Sequence, residues 1–115
     1  MRAIRKIVVL GANGAMGSGS GAVFAAAGIP TVFLARTLEK AEAGRARAEQ
    51  ITKGRASAKT ISCGTYSSDL GHALMDADLV FEAVSEEPSV KREVFALIDR
   101  LRKESTRLNT AHGAT

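Results

Sequence analysis

Short apolar runs alternate along this chain with longer segments of mixed character. Ile4–Leu10 carries Ile-Val-Val-Leu and stops at Gly11. An almost continuous apolar run of this length predicts a strand buried on both faces, as in parallel sheets. Thr31–Ala35 predicts a second such strand, Thr60–Gly64 a weaker third, and Asp78–Val84 a fourth. Between them the spacing is helical. Ala15–Ala27 predicts a helix of small residues around Met16, Val23 and Phe24, with Gly28 placed to end it and Pro30 to stop it. Leu38–Thr52 predicts an alanine-rich, charged, solvent-facing helix, and Ser68–Asp76 a short one holding Leu70, Leu74 and Met75. Behind Pro88, the residues Val90, Val94, Ile98 and Leu101 fall on one helical face. Strands and helices in strict alternation predict an α/β fold, a parallel sheet with helices on both faces and right-handed crossovers.

The pattern fades after Lys103. Glu104–Thr115 has no apolar run long enough for a buried strand. The expected organisation is one domain over residues 1–103 and an irregular tail over 104–115, giving an incomplete sheet of about four strands.

Composition narrows the function. With 115 residues, 45% apolar and 24% charged, the chain is suited to one folded domain rather than to disorder. No apolar run approaches the ~20 residues a membrane-crossing helix needs, so no membrane partner is expected. Cys63 is the one cysteine, which excludes an internal disulfide and any cysteine-rich zinc module; no metal site is expected. The first residues lead straight into a strand-like run with no secretory apolar segment, and the expected location is the cytoplasm. Charge is uneven: residues 1–55 hold nine Lys/Arg against three acids, residues 56–115 seven against nine. A basic half fits nucleic acid, an anionic cofactor or no ligand at all. Five aromatics without interleaved basic residues do not make a stacking surface, so nucleic acid is not the expected partner.

The strongest chemical signal is Gly11-Ala12-Asn13-Gly14-Ala15-Met16-Gly17, set between a strand and a helix. Gly11 suits the turn out of the strand, Gly14 admits a pyrophosphate close to backbone, and Gly17 permits tight helix packing on the first strand. The N–H groups and positive dipole end at the helix start attract phosphate. The expected ligand is a dinucleotide. The spacing is one residue longer than the commonest G-x-G-x-x-G, with the addition around Asn13: a variant dinucleotide loop, or an insertion that spoils the fit and leaves a glycine-rich turn without ligand. The second strand ends in Ala35-Arg36-Thr37, where NAD-binding domains commonly carry an acid on the adenosine ribose. A guanidinium at Arg36 pairs well with a 2′-phosphate. Two readings stay open at this point: Arg36 meets an NADP-type ribose, or Arg36, Lys40, Arg45 and Arg47 form an ordinary wet surface.

Ile4–Ala12, then Gly14-Ala-Met-Gly-Ser-Gly and Ala27-Gly-Ile-Pro, resemble the opening of 3-hydroxyacyl-CoA dehydrogenases; so does Asp76–Glu87 (Asp-Ala-Asp-Leu-Val-Phe-Glu-Ala-Val-Ser-Glu-Glu) followed by Val90–Asp99. The resemblance covers residues 4–103. It implies a Rossmann-type doubly wound domain that binds NAD or NADP at the front of an oxidoreductase exchanging hydride with the 3-hydroxyl of an acyl-CoA. It further implies that Ala83 and Val84 line the adenosine side and that Glu86 and Lys91 lie near the cofactor. The family's later strand, its catalytic His–Glu pair and its helical dimer-forming domain have no counterpart in these residues. His72 reads as a surface histidine, and His112 is out of place for a base. No catalytic residue is therefore assigned, and this chain alone is expected to lack dehydrogenase activity. A non-catalytic nucleotide-binding or regulatory module, or another NADP-dependent reductase, are the rival readings. An uncovered sheet edge, or the apolar face of Val90–Leu101, makes a homodimer a further expectation.

Overall fold

The computed structural model describes residues 4–83, together with Arg92, Ala96 and residues 110–112. The described elements are β1 (Ile7–Leu10), α1 (Ala15–Ala26), β2 (Thr31–Ala35), α2 (Leu38–Ile51), β3 (Ile61–Thr65), α3 (Tyr66–Met75), β4 (Leu79–Glu82) and β5 (Thr110–His112). All pairings are parallel, in the order β3-β2-β1-β4-β5. The expected Rossmann-type α/β fold is the one found.

The alternation of side chains along β1 divides the core in two. Val8 and Leu10 face Leu70, Ala73 and Leu74 of α3, with Leu34 and Val80 beside them. Ile7 and Val9 face Ala22 and Ala25 of α1 and Ala48 of α2, with Phe33 and Ile61. All four β1 side chains are buried, because a central strand with helices on both faces has no wet side. Phe24 of α1 meets Phe81 of β4 edge to face, ring centroids 6.1 Å apart. The entrance to β1 is fixed by Asp78, whose carboxylate accepts the N–H of Arg5 at 2.8 Å and of Lys6 at 3.2 Å.

Helix boundaries follow local chemistry. Thr37 Oγ1 accepts the Lys40 N–H to start α2, and Thr65 Oγ1 accepts the Ser68 N–H to start α3. That cap puts the start of α3 two residues earlier than the apolar pattern predicts. Gly28 follows α1 at φ +88, as expected of a residue ending a helix.

One expectation is corrected. Residues 104–115 were expected to be irregular, yet Thr110–His112 pairs with β4 in the register Val80↔Thr110, Phe81↔Ala111 and Glu82↔His112, raising the sheet to five strands. Pairing at a sheet edge uses backbone N–H and C=O, which nearly every residue carries. A three-residue strand is too short to leave a hydrophobic period. The helix expected behind Pro88 falls largely outside the described residues; Arg92 and Ala96 are helical and exposed.

Candidate functional site

The strand order reverses between β1 and β4, and in open α/β sheets the crevice for ligands opens at the carboxyl ends of such strands. The glycine loop lies there. Gly11 leaves β1 at φ +77, a conformation a side chain would strain. The N–H groups of Gly11 and Ala12 donate to Leu34 O at 3.2 and 3.3 Å, tying the loop to β2. Gly14 N–H then donates to Gly11 O at 3.2 Å, closing a four-residue turn. The residue beyond G-x-G-x-x-G spacing is absorbed in this turn, with Asn13 exposed at its tip.

The helix start is uncapped by any side chain. Gly14 takes the N-cap position in extended conformation, and the first turn of α1 holds no acid. Ser18 N–H makes the first bond back, to Gly14 O at 2.9 Å, and Ser18 Oγ donates to the same carbonyl at 2.8 Å. The N–H groups of Ala15, Met16 and Gly17 precede that bond, so they have no partner within the helix. Three such donors at the positive end of a twelve-residue helix suit an anion. The residues present therefore fit a pyrophosphate.

Two helices pinch this turn. A Cβ on Gly17 would stand 2.3 Å from Gly11 O, and one on Gly44 of α2 would stand 2.3 Å from Ala12 O. Gly17 thus packs on the loop rather than on the strand before it. Gly21, one turn further along α1, meets Phe33 of β2 equally closely. Gly44 was not singled out by sequence: a lone glycine in a charged helix has the same appearance whether or not it touches backbone.

Arg36 and Thr37 are exposed just past β2, and Lys40 is exposed in the first turn of α2. Ala83 follows β4 and donates its N–H to Leu10 O at 2.8 Å, beside the root of the loop. Thus Gly11–Gly17, Arg36 and Ala83 gather at the carboxyl ends of β1, β2 and β4. Val84, Glu86 and Lys91 lie outside the described residues.

A family model described as 3-hydroxyacyl-CoA dehydrogenase, NAD binding domain, matches residues 6–113. The chain belongs to this family. Relatives include a 3-hydroxybutyryl-CoA dehydrogenase of Mycobacterium tuberculosis, 35% identical over an alignment of 108 positions that covers 86% of this chain and 37% of that protein. Another, from Clostridioides difficile, is 34% identical over an alignment of 113 positions that covers 91% of this chain and 40% of that one. Among solved structures, M. tuberculosis FadB2 superposes with a TM-score of 0.70 at 33% identity, covering 87% of this chain and 38% of that chain. A diketoreductase superposes at 0.76 with 26% identity, covering 97% and 42%. The chain therefore spans less than half the length of the relatives it matches. What it carries is the NAD-binding domain of the family.

Two further residues lie beside the root of the glycine loop. Tyr66, the first residue of α3, accepts the Gly11 N–H on its hydroxyl oxygen at 2.8 Å. Glu82 closes β4, buried and in register with Leu10. Burial pushes the Tyr66 phenol up to about 12; the Gly11 N–H opposes the rise, the Glu82 carboxylate adds to it, and the Arg36 guanidinium opposes it. Below pH ~10 the phenol is neutral in folded and unfolded chains alike. As pH rises further the unfolded chain gives up this proton first. Stability is therefore expected to fall between pH 10 and 12, by about 2–3 kcal/mol attributable to Tyr66. Urea unfolding at pH 9 and pH 11, compared with Tyr66→Phe, checks this: the variant should show the smaller loss.

Cys63 lies in β3, its thiol 3.5 Å from Ala41 O, and burial pushes its pKa up. A protonated thiol is a poor nucleophile. Alkylation by iodoacetamide at pH 8 is expected to run slower than for free cysteine, and a faster rate would contradict the packing described. His72 is exposed on α3. Among the described residues no group of acids, His and Cys is placed to hold a metal. Nor, among them, is any helix long and apolar enough to cross a membrane. A cavity of about 730 Å³ between β3 and α3 reaches Arg5, Thr31 and Asp78, at the opposite ends of the strands from the glycine loop. Its lining includes no residue of the glycine loop.

Proposed function

We propose that the crevice over β1 and β4 holds the dinucleotide with its pyrophosphate on the N–H groups of Ala15, Met16 and Gly17. The uncapped, acid-free start of α1 carries this reading. Gly11, Ala12 and Asn13 form the turn that presents these donors. Arg36 meets the adenosine ribose, and Ala83 with Val84 lines that side. Glu86 and Lys91 border the nicotinamide half. The nicotinamide, when bound, supplies the hydride acceptor or donor. The chain's own residues bind and orient it.

In the whole protein this domain serves an oxidoreductase acting on the 3-hydroxyl of an acyl-CoA, as the names of its relatives state for them. That oxidation needs a base to take the hydroxyl proton, and no residue of this chain is assigned that role. NADH formation from 3-hydroxybutyryl-CoA by the 115-residue chain is expected to be negligible, and robust turnover would overturn that assignment. A cytoplasmic location and association of two copies through an open sheet edge belong to the same proposal. Light scattering over a wide concentration range tests the second; a constant monomeric mass would remove it.

Arg36 favours a second feature of this reading, acceptance of a 2′-phosphate. Arg36 follows β2 at the sequence position where NAD-binding domains commonly carry a ribose-binding acid, which would repel that group. Parallel titrations with NAD and NADP decide it.

A further inference from the structure

We infer that Tyr66 is a positioning residue for the dinucleotide site, acting through Gly11; the inference rests on the crevice being that site. Groups from the ends of three strands converge on its phenol. The hydroxyl oxygen takes the Gly11 N–H at 2.8 Å from the end of β1, while Glu82 of β4 and Arg36 just past β2 act on it electrostatically. Its ring packs against the core between the sheet and α3. The side chain therefore bridges the α3 layer to the first residue of the glycine loop.

Gly11 is where such a tie matters. Its N–H is shared between Tyr66 Oη at 2.8 Å and Leu34 O at 3.2 Å, the shorter contact being to the phenol. The direction of this N–H sets the plane of the peptide entering the turn. The turn in turn sets Gly14, whose carbonyl starts α1. Tilting the first peptide re-aims the donors of Ala15, Met16 and Gly17. Hydrogen bonds prefer N–H···O angles above about 150° and weaken steeply below about 120°, so donors turned away from the anion show in affinity. Removal of the hydroxyl leaves Gly11 N–H its bond to Leu34 O, so Tyr66→Phe keeps a satisfied backbone and folds.

The chain has one tyrosine and no tryptophan, so its intrinsic emission reports on Tyr66 alone. The test titrates the wild-type chain and Tyr66→Phe with ADP-ribose by calorimetry, follows wild-type tyrosine emission in parallel, and records the Gly11 amide resonance of both proteins by NMR. The expected result is an approximately fivefold weaker Kd for the variant, because the re-aimed Ala15, Met16 and Gly17 donors lose part of their hydrogen bonding to the anion. A shifted Gly11 resonance and a wild-type emission change with the calorimetric midpoint are expected with it. Substituting Phe for a merely structural tyrosine would lower Tm and leave Kd and emission unmoved. Equal affinities in the two proteins, or emission indifferent to saturating ADP-ribose, would overturn the role of Tyr66 and leave the dinucleotide site standing. Failure of the wild-type chain to bind ADP-ribose would overturn both.

Discussion

Gly17→Ala is expected to cost dinucleotide binding at least tenfold and stability about 1–3 kcal/mol. The added methyl would lie 2.3 Å from Gly11 O and 3.1 Å from Ala12 Cα, and both are backbone atoms that no rotamer change moves aside. Helix α1 has to shift away from the turn, carrying the Ala15–Gly17 donors with it. A hydrogen bond to a charged group contributes ~1.5–3 kcal/mol, and every 1.4 kcal/mol is a factor of ten. Gly44→Ala presses on the same turn from α2, with its methyl 2.3 Å from Ala12 O, and should act in the same direction. Gly19→Ala is the control. Nothing lies within 4 Å of its added methyl, and alanine favours a helix over glycine by ~1 kcal/mol. It should leave Kd unchanged and raise Tm slightly. Calorimetry with ADP-ribose and thermal unfolding on the three variants make the comparison. Equal behaviour of Gly17→Ala and Gly19→Ala would contradict the described packing.

Arg36→Asp is expected to shift the nucleotide preference away from NADP and towards NAD. The change removes a guanidinium suited to a 2′-phosphate and restores the acid that hydrogen-bonds free ribose hydroxyls. NADP should weaken by about 10- to 100-fold, the worth of one charge-assisted pair, while NAD tightens. Arg36→Ala should weaken NADP alone. The wild-type comparison is decisive by itself: tighter NAD than NADP binding, unchanged in Arg36→Ala, would show that Arg36 is only part of the wet surface at the start of α2.

The sheet was legible because its central strands are buried on both faces. Ile-Val-Val-Leu and Thr-Val-Phe-Leu-Ala can hardly sit anywhere wet, and the observed β2 has the predicted bounds of Thr31 and Ala35. The glycine loop was legible for a similar reason, since a strand, three spaced glycines and a small-residue helix together constrain the backbone. What escaped was chemistry made by tertiary contact. Tyr66 lies 55 residues from Gly11, and nothing local to either announces their hydrogen bond. Gly44 touches Ala12 across two helices and a strand. Glu82 reads in sequence as the polar end of a strand, while its burial depends on β1 and β5 flanking β4. The β5 strand left no trace because backbone pairing carries no side-chain code.

Backbone amide NMR of the uniformly labelled chain during titration with ADP-ribose is the most direct measurement. The expected result is saturable shifts centred on the amides of Gly14, Ala15, Met16 and Gly17, with smaller ones at Arg36 and Ala83. Shifts confined to the cavity between β3 and α3, or none at saturating ligand, would contradict the placement of the pyrophosphate on the start of α1.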